Sequence, residues 1–229
     1  MGAGADDVRA RTGHKEQQRS RAKPGPVRRL SRDLIVDAVL EVGLDHLTMA
    51  RVADHLGVAP GGLYRYVEDR DDLIAATADR LISSVPYSDA DNWIDVLRDE
   101  AWARFTPAVD HLAVVREIRA SKRPSRAAGA RYRWCMDRMV ELGLSSEDAL
   151  LAVDSIVDVV DDGMQQMEAV AKRIAELGID GFADQMFEPG GPHSEAIRAV
   201  ALDLRSFLER KVEVVLAGLE ATVRPRQVR

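Results

Sequence analysis

The sequence predicts an all-α protein, and three observations carry that expectation. Apolar residues recur at helical spacing through most of residues 31–220, no segment alternates polar and apolar side chains as a half-buried strand would, and glycine or proline punctuates the helical runs. With 229 residues, 46% hydrophobic and 31% charged, the chain is long and apolar enough to bury a sizeable helical core.

Residues 1–27 are polar and basic, end in Lys23-Pro24-Gly25-Pro26 and hold almost no large apolar side chains, so a disordered arm is expected. Ser31 is a good N-cap for a first helix, in which Leu34, Ile35, Ala38, Val39 and Val42 share a face and Gly43 ends the run. Thr48 caps a short second helix. Further helical patterns cover about 71–84, 91–105, 109–119, 126–142, 147–177 and 194–220. They break at Val85-Pro86, Thr106-Pro107, Arg123-Pro124, Gly143, Gly178 and Glu188-Pro189-Gly190-Gly191-Pro192. We find no internal repeat.

The most specific local signal is TMARVADHLGVAPGGLYRYV at 48–67. Two crossing helices of a helix-turn-helix need a small residue at the crossing and a turn residue tolerant of positive φ four positions later. Ala53 and Gly57 meet those needs, and Val52, Leu56, Val58, Leu63 and Tyr66 supply apolar bulk to clamp the second helix on the first. An ordinary helical hairpin in a core is the plainer alternative. Ala59-Pro60-Gly61-Gly62 opens the second helix with little side-chain bulk, so its backbone N–H groups could approach phosphate. Tyr64, Arg65 and Tyr66 follow. Arg65 alone here can make a bidentate contact with a guanine edge; a solvated surface charge is the alternative.

The charge distribution agrees. The whole chain carries a formal net charge of −6, which argues against indiscriminate coating of nucleic acid. Residues 1–32 nevertheless carry +6 net, against −6 in 33–80 and −6 in the remainder. The positive charge, including Arg28 and Arg29, leads straight into the first helix, where it could grip a phosphate backbone.

On these residues the chain resembles the DNA-binding domain of TetR-type transcriptional regulators. The pattern runs Gly43-Leu44, Leu47-Thr48, Val52-Ala53, Leu56-Gly57-Val58, Gly62-Leu63-Tyr64-Arg65-Tyr66 and then Leu73-Ile74, about 45 of 229 residues. The resemblance implies backbone phosphate contacts from Thr48, Tyr64 and Tyr66, with residues 59–65 in the major groove. It also implies a phosphate contact from Arg70, where the family usually has Lys; Arg serves that purpose too. Tyr66-Val67 stands where many members carry His-Phe. The expected organisation is an arm at 1–27, a three-helix DNA-binding domain at 28–84, a larger helical ligand-binding and dimerisation domain at 85–220, and a tail at 221–229.

Two apolar stripes mark the long C-terminal helices: Leu150, Val153, Val157, Val160, Met164, Met167, Ala171 and Ile174, then Ile197, Val200, Leu204, Leu208, Val212, Val215 and Leu219. They predict a homodimer through 147–177 and 194–220, as in TetR-type regulators, unless both stripes pack inside one subunit. A palindromic double-stranded DNA operator needs two reading heads. For a small-molecule effector, the large side chains of the middle region suggest Trp102, Phe105, Trp134 and Met139 as cavity walls, with Met164 and Met167 as adaptable packing. Aromatic residues at this spacing can equally be plain core. Asp154, Asp158 and Asp161 share a helix face, either solvated or pairing with a cationic ligand or with Arg across a dimer; Asp158 is the candidate ligand contact.

Other classes find less support. No run of about 18 uncharged apolar residues predicts a membrane span, and the N-terminus lacks the apolar segment of a secretory signal, so a cytoplasmic protein is expected. The single cysteine, Cys135, allows no internal disulfide and reads as a buried or a reactive thiol. No cluster with metal-ligand spacing and no nucleophile–base–orienting set occurs, so no metal, cofactor or catalytic residue is expected. A helical enzyme using His111, Cys135 or the Asp cluster lacks such a set. An architectural DNA-binding protein without an effector would have a basic body rather than an acidic one.

Overall fold

A computed structural model describes residues 29–45 and 47–225. Among them every regular element is helical, as the spacing predicts. The order is α1 (Arg32–Val42), α2 (Met49–Leu56), α3 (Pro60–Leu63), α4 (Arg70–Ser83), α5 (Trp93–Phe105), a 3-10 turn (Thr106–His111), α6 (Ala113–Ala120), α7 (Arg126–Glu141), α8 (Ser146–Met186), α9 (Pro192–Leu202) and α10 (Leu204–Thr222).

Local chemistry sets the boundaries. Ser31, Thr48, Asp69, Asn92, Ser125 and Ser145 each accept a backbone N–H of the first turn they cap, satisfying donors that have no partner inside the helix. At Gly43 (φ 84°) and Gly57 (φ 65°) the chain turns through left-handed backbone that a β-carbon would disfavour. Pro107, which cannot continue an α-helical hydrogen-bond ladder, coincides with the change from α5 to 3-10 geometry.

From Ser31 onward the described residues form one compact unit. α1, α2 and α3 pack as a small cluster, and α4 touches α1 as well as α6 and α7. α8 is the axis of the body and touches α5, α6, α7, α9 and α10. Its core contacts come from Val96, Leu97 and Ala101 of α5, Cys135 and Met139 of α7, Val153, Val160 and Met164 of α8, and Leu208, Val212 and Leu216 of α10, all buried. Cys135 is therefore a core thiol, and burial pushes its pKa up to about 12.

Two long helices differ from the expected outlines. α8 extends past 177 through a break at Gly178 (φ 71°, ψ 165°) and resumes to Met186. Arg198 then ties that last segment to α9 through Asp180 and Asp184, both at 2.8 Å. The expected helix at 194–220 is two helices, because Asp203 leaves helical geometry (φ −143°, ψ 69°) and caps α10 by accepting from the Ser206 N–H. Asp favours a cap over a helix interior because its short carboxylate competes for nearby backbone donors.

The apolar stripes of these helices also divide. Val153, Val160, Met164, Leu208, Val212 and Leu219 are buried within the chain, while Leu150 and Ala171 stay exposed, as do Leu151, Leu202 and Val214 outside the stripes. α8 and α10 approach so closely at Gly163 that a β-carbon there would lie 2.3 Å from Leu208 Cδ1. Gly163→Ala is accordingly expected to lower stability by about 1–3 kcal/mol through overpacking, read as a lower denaturation midpoint. An unchanged midpoint would mean that Leu208 has room to turn away.

Candidate nucleic-acid interface and effector cavity

The helix-turn-helix forms as its residues require. Val52 and Ala53 of α2 and Leu63 of α3 are fully buried at the crossing, and Val58 N–H donates to the Ala53 carbonyl at 2.9 Å across the Gly57 turn. Leu56, Val58 and Tyr66 are half-buried clamps. α3 itself is a single turn. Ala59, Pro60 and Gly61 are exposed and Gly62 is half-buried, so this edge presents backbone rather than bulk. Tyr64 is 53% exposed. Arg65 is exposed too, with no hydrogen bond or ion pair to any described residue. Thr48 Oγ1 accepts from Arg51 N–H at 3.2 Å at the start of α2.

Arg32 fixes the angle of this edge. Its guanidinium grips Asp72 at 2.7 and 2.9 Å and donates to the Tyr66 carbonyl at 2.8 Å, joining α1, the end of the α3 turn and α4. Asp72 also accepts the Glu68 N–H at 2.9 Å. The Arg32 hydrogen bond, assisted by that amide and opposed by burial, holds the Asp72 carboxyl at about 2. Because the folded pKa lies below the ordinary 3.8, this contribution is present above pH 4 and disappears as pH falls from about 4 through about 2. Arg32 is half exposed, so solvent screening limits the contribution to about 1 kcal/mol. Acid titration of unfolding stability should show this loss in the wild type and not in Asp72→Asn.

Arg70 occupies a different environment from Arg65. Its Nε donates to the Leu47 carbonyl at 3.1 Å, next to the Thr48 cap, and its Nη2 pairs with Glu117 of α6 at 2.6 Å. The phosphate contact expected of it therefore competes with an internal ion pair, although the side chain remains 42% exposed. Arg29 lies in exposed coil. Arg28 and the arm at 1–27 fall outside the described residues.

Behind this edge, α4 to α8 enclose a cavity of about 100 Å³. Its apolar wall includes Leu81, Ile82, Leu97, Val115, Ile118, Ile156, Val157 and Met164; its polar groups are Glu100, Arg104, Arg119, Arg131, Tyr132 and Asp161, with the Cys135 thiol. Two ion pairs cross it. Arg131 grips Glu100 at 2.6 and 2.8 Å and also donates to the Val85 and Pro86 carbonyls. Burial pushes the Glu100 carboxyl above its ordinary value against the opposing pull of Arg131. Asp161, buried, receives Arg104 Nη2 at 2.7 Å and Arg119 Nη2 at 3.7 Å.

The residues named as cavity walls from the sequence are dispersed. Met164 lines the cavity, whereas Phe105 and Met139 are fully buried in the core and do not. Trp102 lines a shallow outer cleft that shares Glu100 and Arg131 with the cavity. Trp134 stacks on Tyr87 at 4.6 Å. Met167 lines a second cavity, of about 110 Å³, between α8, α9 and α10. Asp158 and Asp154 are exposed; Asp161 is the member of that face that turns inward, because Arg104 of α5 and Arg119 of α6 cover it. Its partners are arginines of the same chain. Glu100, Arg104, Arg119 and Arg131 went unnoticed in the sequence, although Arg131 falls on the Cys135–Met139 face of α7, where a charge signals a buried partner.

A profile of the tetR family of bacterial regulatory proteins matches residues 36–77, the segment just described from α1 to α4. Residues 36–77 thus carry a TetR-type DNA-binding domain. A curated transcriptional repressor of Mycobacterium tuberculosis is 32% identical over 146 residues, covering 59% of this chain and 54% of the relative, so the chain spans about half of that protein's length. A class D tetracycline repressor of Escherichia coli is 27% identical over 137 residues, covering 56% of this chain and 62% of its own. Among solved structures, a possible TetR-family regulator of Streptomyces coelicolor superposes with a TM-score of 0.68 at 23% identity, covering 83% of this chain and 97% of that one. ActR of the same organism, in complex with actinorhodin, gives 0.66 at 22% identity, covering 86% and 98%. At these identities the structural matches speak to the fold, which extends the likeness well beyond α4.

Proposed function

We propose that this chain is a transcriptional repressor that binds a palindromic DNA operator as a homodimer and is released when a small molecule occupies the cavity enclosed by α4 to α8. The observation that carries the reading is the α2–α3 edge: a clamped helix-turn-helix leaves Tyr64 exposed and Arg65 exposed without a partner among the described residues. Arg65 is the base reader, while Thr48, Tyr64, Tyr66 and Arg70 grip phosphate.

The coupling between cavity and DNA edge runs through α6. Val115, Ile118 and Arg119 of α6 line the cavity, and Glu117 of the same helix holds Arg70 at the start of α4. Arg116, also on α6, reaches Asp45 in the turn before α2 at 3.3 Å. A ligand that displaces α6 therefore pulls on both flanks of the reading edge. Release follows if the ligand binds better to a state in which two reading edges no longer match successive major grooves, about 34 Å apart. The ligands named in complexes of structural neighbours, actinorhodin and minocycline, support a small-molecule effector in kind and not in identity.

The exposed apolar residues Leu150 and Leu151 of α8 and Val214 of α10 are the surface we assign to the second copy. A repressor of this kind works in the cytoplasm; no helix among the described residues is long and apolar enough to cross a membrane. Selection of bound genomic fragments tests the reading. Recovered fragments should share an inverted repeat, and recovery without any common repeat would contradict it.

A further inference from the structure

We propose that the cavity takes a small organic anion, an apolar body of one ring or a short chain whose single carboxylate is held by Arg119 and Arg104; this rests on the reading of the cavity as the effector site. The cavity wall carries three guanidinium groups, Arg104, Arg119 and Arg131, against two carboxylates, Glu100 and Asp161. The wall therefore holds one guanidinium more than carboxylates, and the extra one, Arg119, has its counterion Asp162 outside the lining, a place that a monoanion in the cavity can take.

The surplus lies at one end. Arg131 is saturated by Glu100 and two backbone carbonyls, so it has little left for a ligand. Arg104 gives Nε and Nη2 to Asp161 and keeps Nη1 without a partner among the described residues. Arg119 is the least committed. It reaches Asp161 only at 3.7 Å, and its one hydrogen bond among the described residues, 3.0 Å, goes to Asp162, whose side chain is 61% exposed. An exposed pair of that kind is worth little, so exchanging Asp162 for a ligand carboxylate inside the cavity costs little and gains a less hydrated, forked contact.

Tyr132 lines the cavity with no hydrogen-bond partner among the described residues, and burial, helped by the neighbouring Asp154 and Asp158, raises its pKa. The arginines around Asp161 therefore take the carboxylate, and the Tyr132 hydroxyl is left for an apolar or hydroxyl-bearing end. A cationic ligand meets the reverse: both wall carboxylates are already gripped by arginine, and taking one would strand a buried guanidinium. Size limits the body. A dry cavity of about 150 Å³ holds benzene, so about 100 Å³ accommodates one ring after slight widening.

The test uses the full chain and three probes of one shape: benzoate, neutral benzamide and cationic benzylamine, followed by calorimetry and by the thermal midpoint. Benzoate should bind saturably and about tenfold or more tighter than the other two. Arg119→Gln should remove that preference while leaving benzamide binding unchanged, and Asp161→Asn, which removes a competing carboxylate, should tighten benzoate. Equal binding of acid and amide, tighter binding of the amine, no benzoate binding at millimolar concentration, or an unaltered preference in Arg119→Gln overturns the proposal. The two readings fail separately. Benzoate that binds through Arg119 without loosening a selected DNA fragment keeps the ligand class and sinks effector control; release by the amine alone keeps effector control and sinks the ligand class.

Discussion

Glu100→Ala is expected to destabilise the protein by about 3–5 kcal/mol, the cost of leaving a buried charge without its partner. Arg131 and Glu100 are both nearly sealed from solvent, with side chains 11% and 9% exposed. Truncation of the carboxylate would leave the guanidinium facing the cavity, supported by the Val85 and Pro86 carbonyls and the face of the Tyr87 ring at 5.0 Å. Those carbonyls close the segment between α4 and α5, so the loss should spread to that connection. Chemical denaturation checks the magnitude. The double replacement Glu100→Leu with Arg131→Met should recover much of the stability, because apolar residues of similar volume remove the charge as well as its partner. A loss below about 1 kcal/mol for Glu100→Ala would show that water reaches Arg131 and screens it.

Arg65→Ala is expected to weaken binding to a preferred DNA fragment by about 1–3 kcal/mol, with most of the loss at a single base pair of each half-site. The side chain is exposed and has no partner in the described structure, so its removal should leave folding stability unchanged. Arg70→Ala should behave differently. Loss of the proposed phosphate ligand should lower affinity for all sequences alike and reduce the salt slope by about one. It also cuts the links to Leu47 and Glu117, so a smaller response to effector should accompany it. Competition binding with single-base variants of the fragment separates the two. Uniform weakening by Arg65→Ala would move base readout to another residue.

What was legible in the sequence was local. Ser31, Thr48, Gly43 and Gly57 mark helix ends through chemistry that acts within a few residues, and the structure places caps and left-handed turns at those positions. The Ala53–Gly57 spacing identified the helix-turn-helix for the same reason. Asp203 went unread because the apolar stripe from Ile197 to Leu219 runs on through it, and a single capping carboxylate does not interrupt such a pattern.

The cavity was far less legible. Its defining contacts, Arg131 to Glu100 and Arg104 to Asp161, join residues 31 and 57 positions apart, which no local periodicity reports. Aromatic content pointed to Phe105 and Trp134, but large rings fill core and cover surface as readily as they line a cavity. The polar residues that give the cavity its chemistry look like surface charge in the sequence. Asp161 differs from Asp158 only in what α5 and α6 place above it.

The most direct test of a DNA reader at residues 48–66 is a salt titration of affinity for a selected inverted-repeat fragment, with the stoichiometry measured alongside. Two chains per fragment and an affinity that falls steeply and linearly on logarithmic axes, by about 10³-fold or more between 50 and 200 mM salt, are expected. One chain per fragment, or an affinity indifferent to salt and to Arg65→Ala, would contradict it.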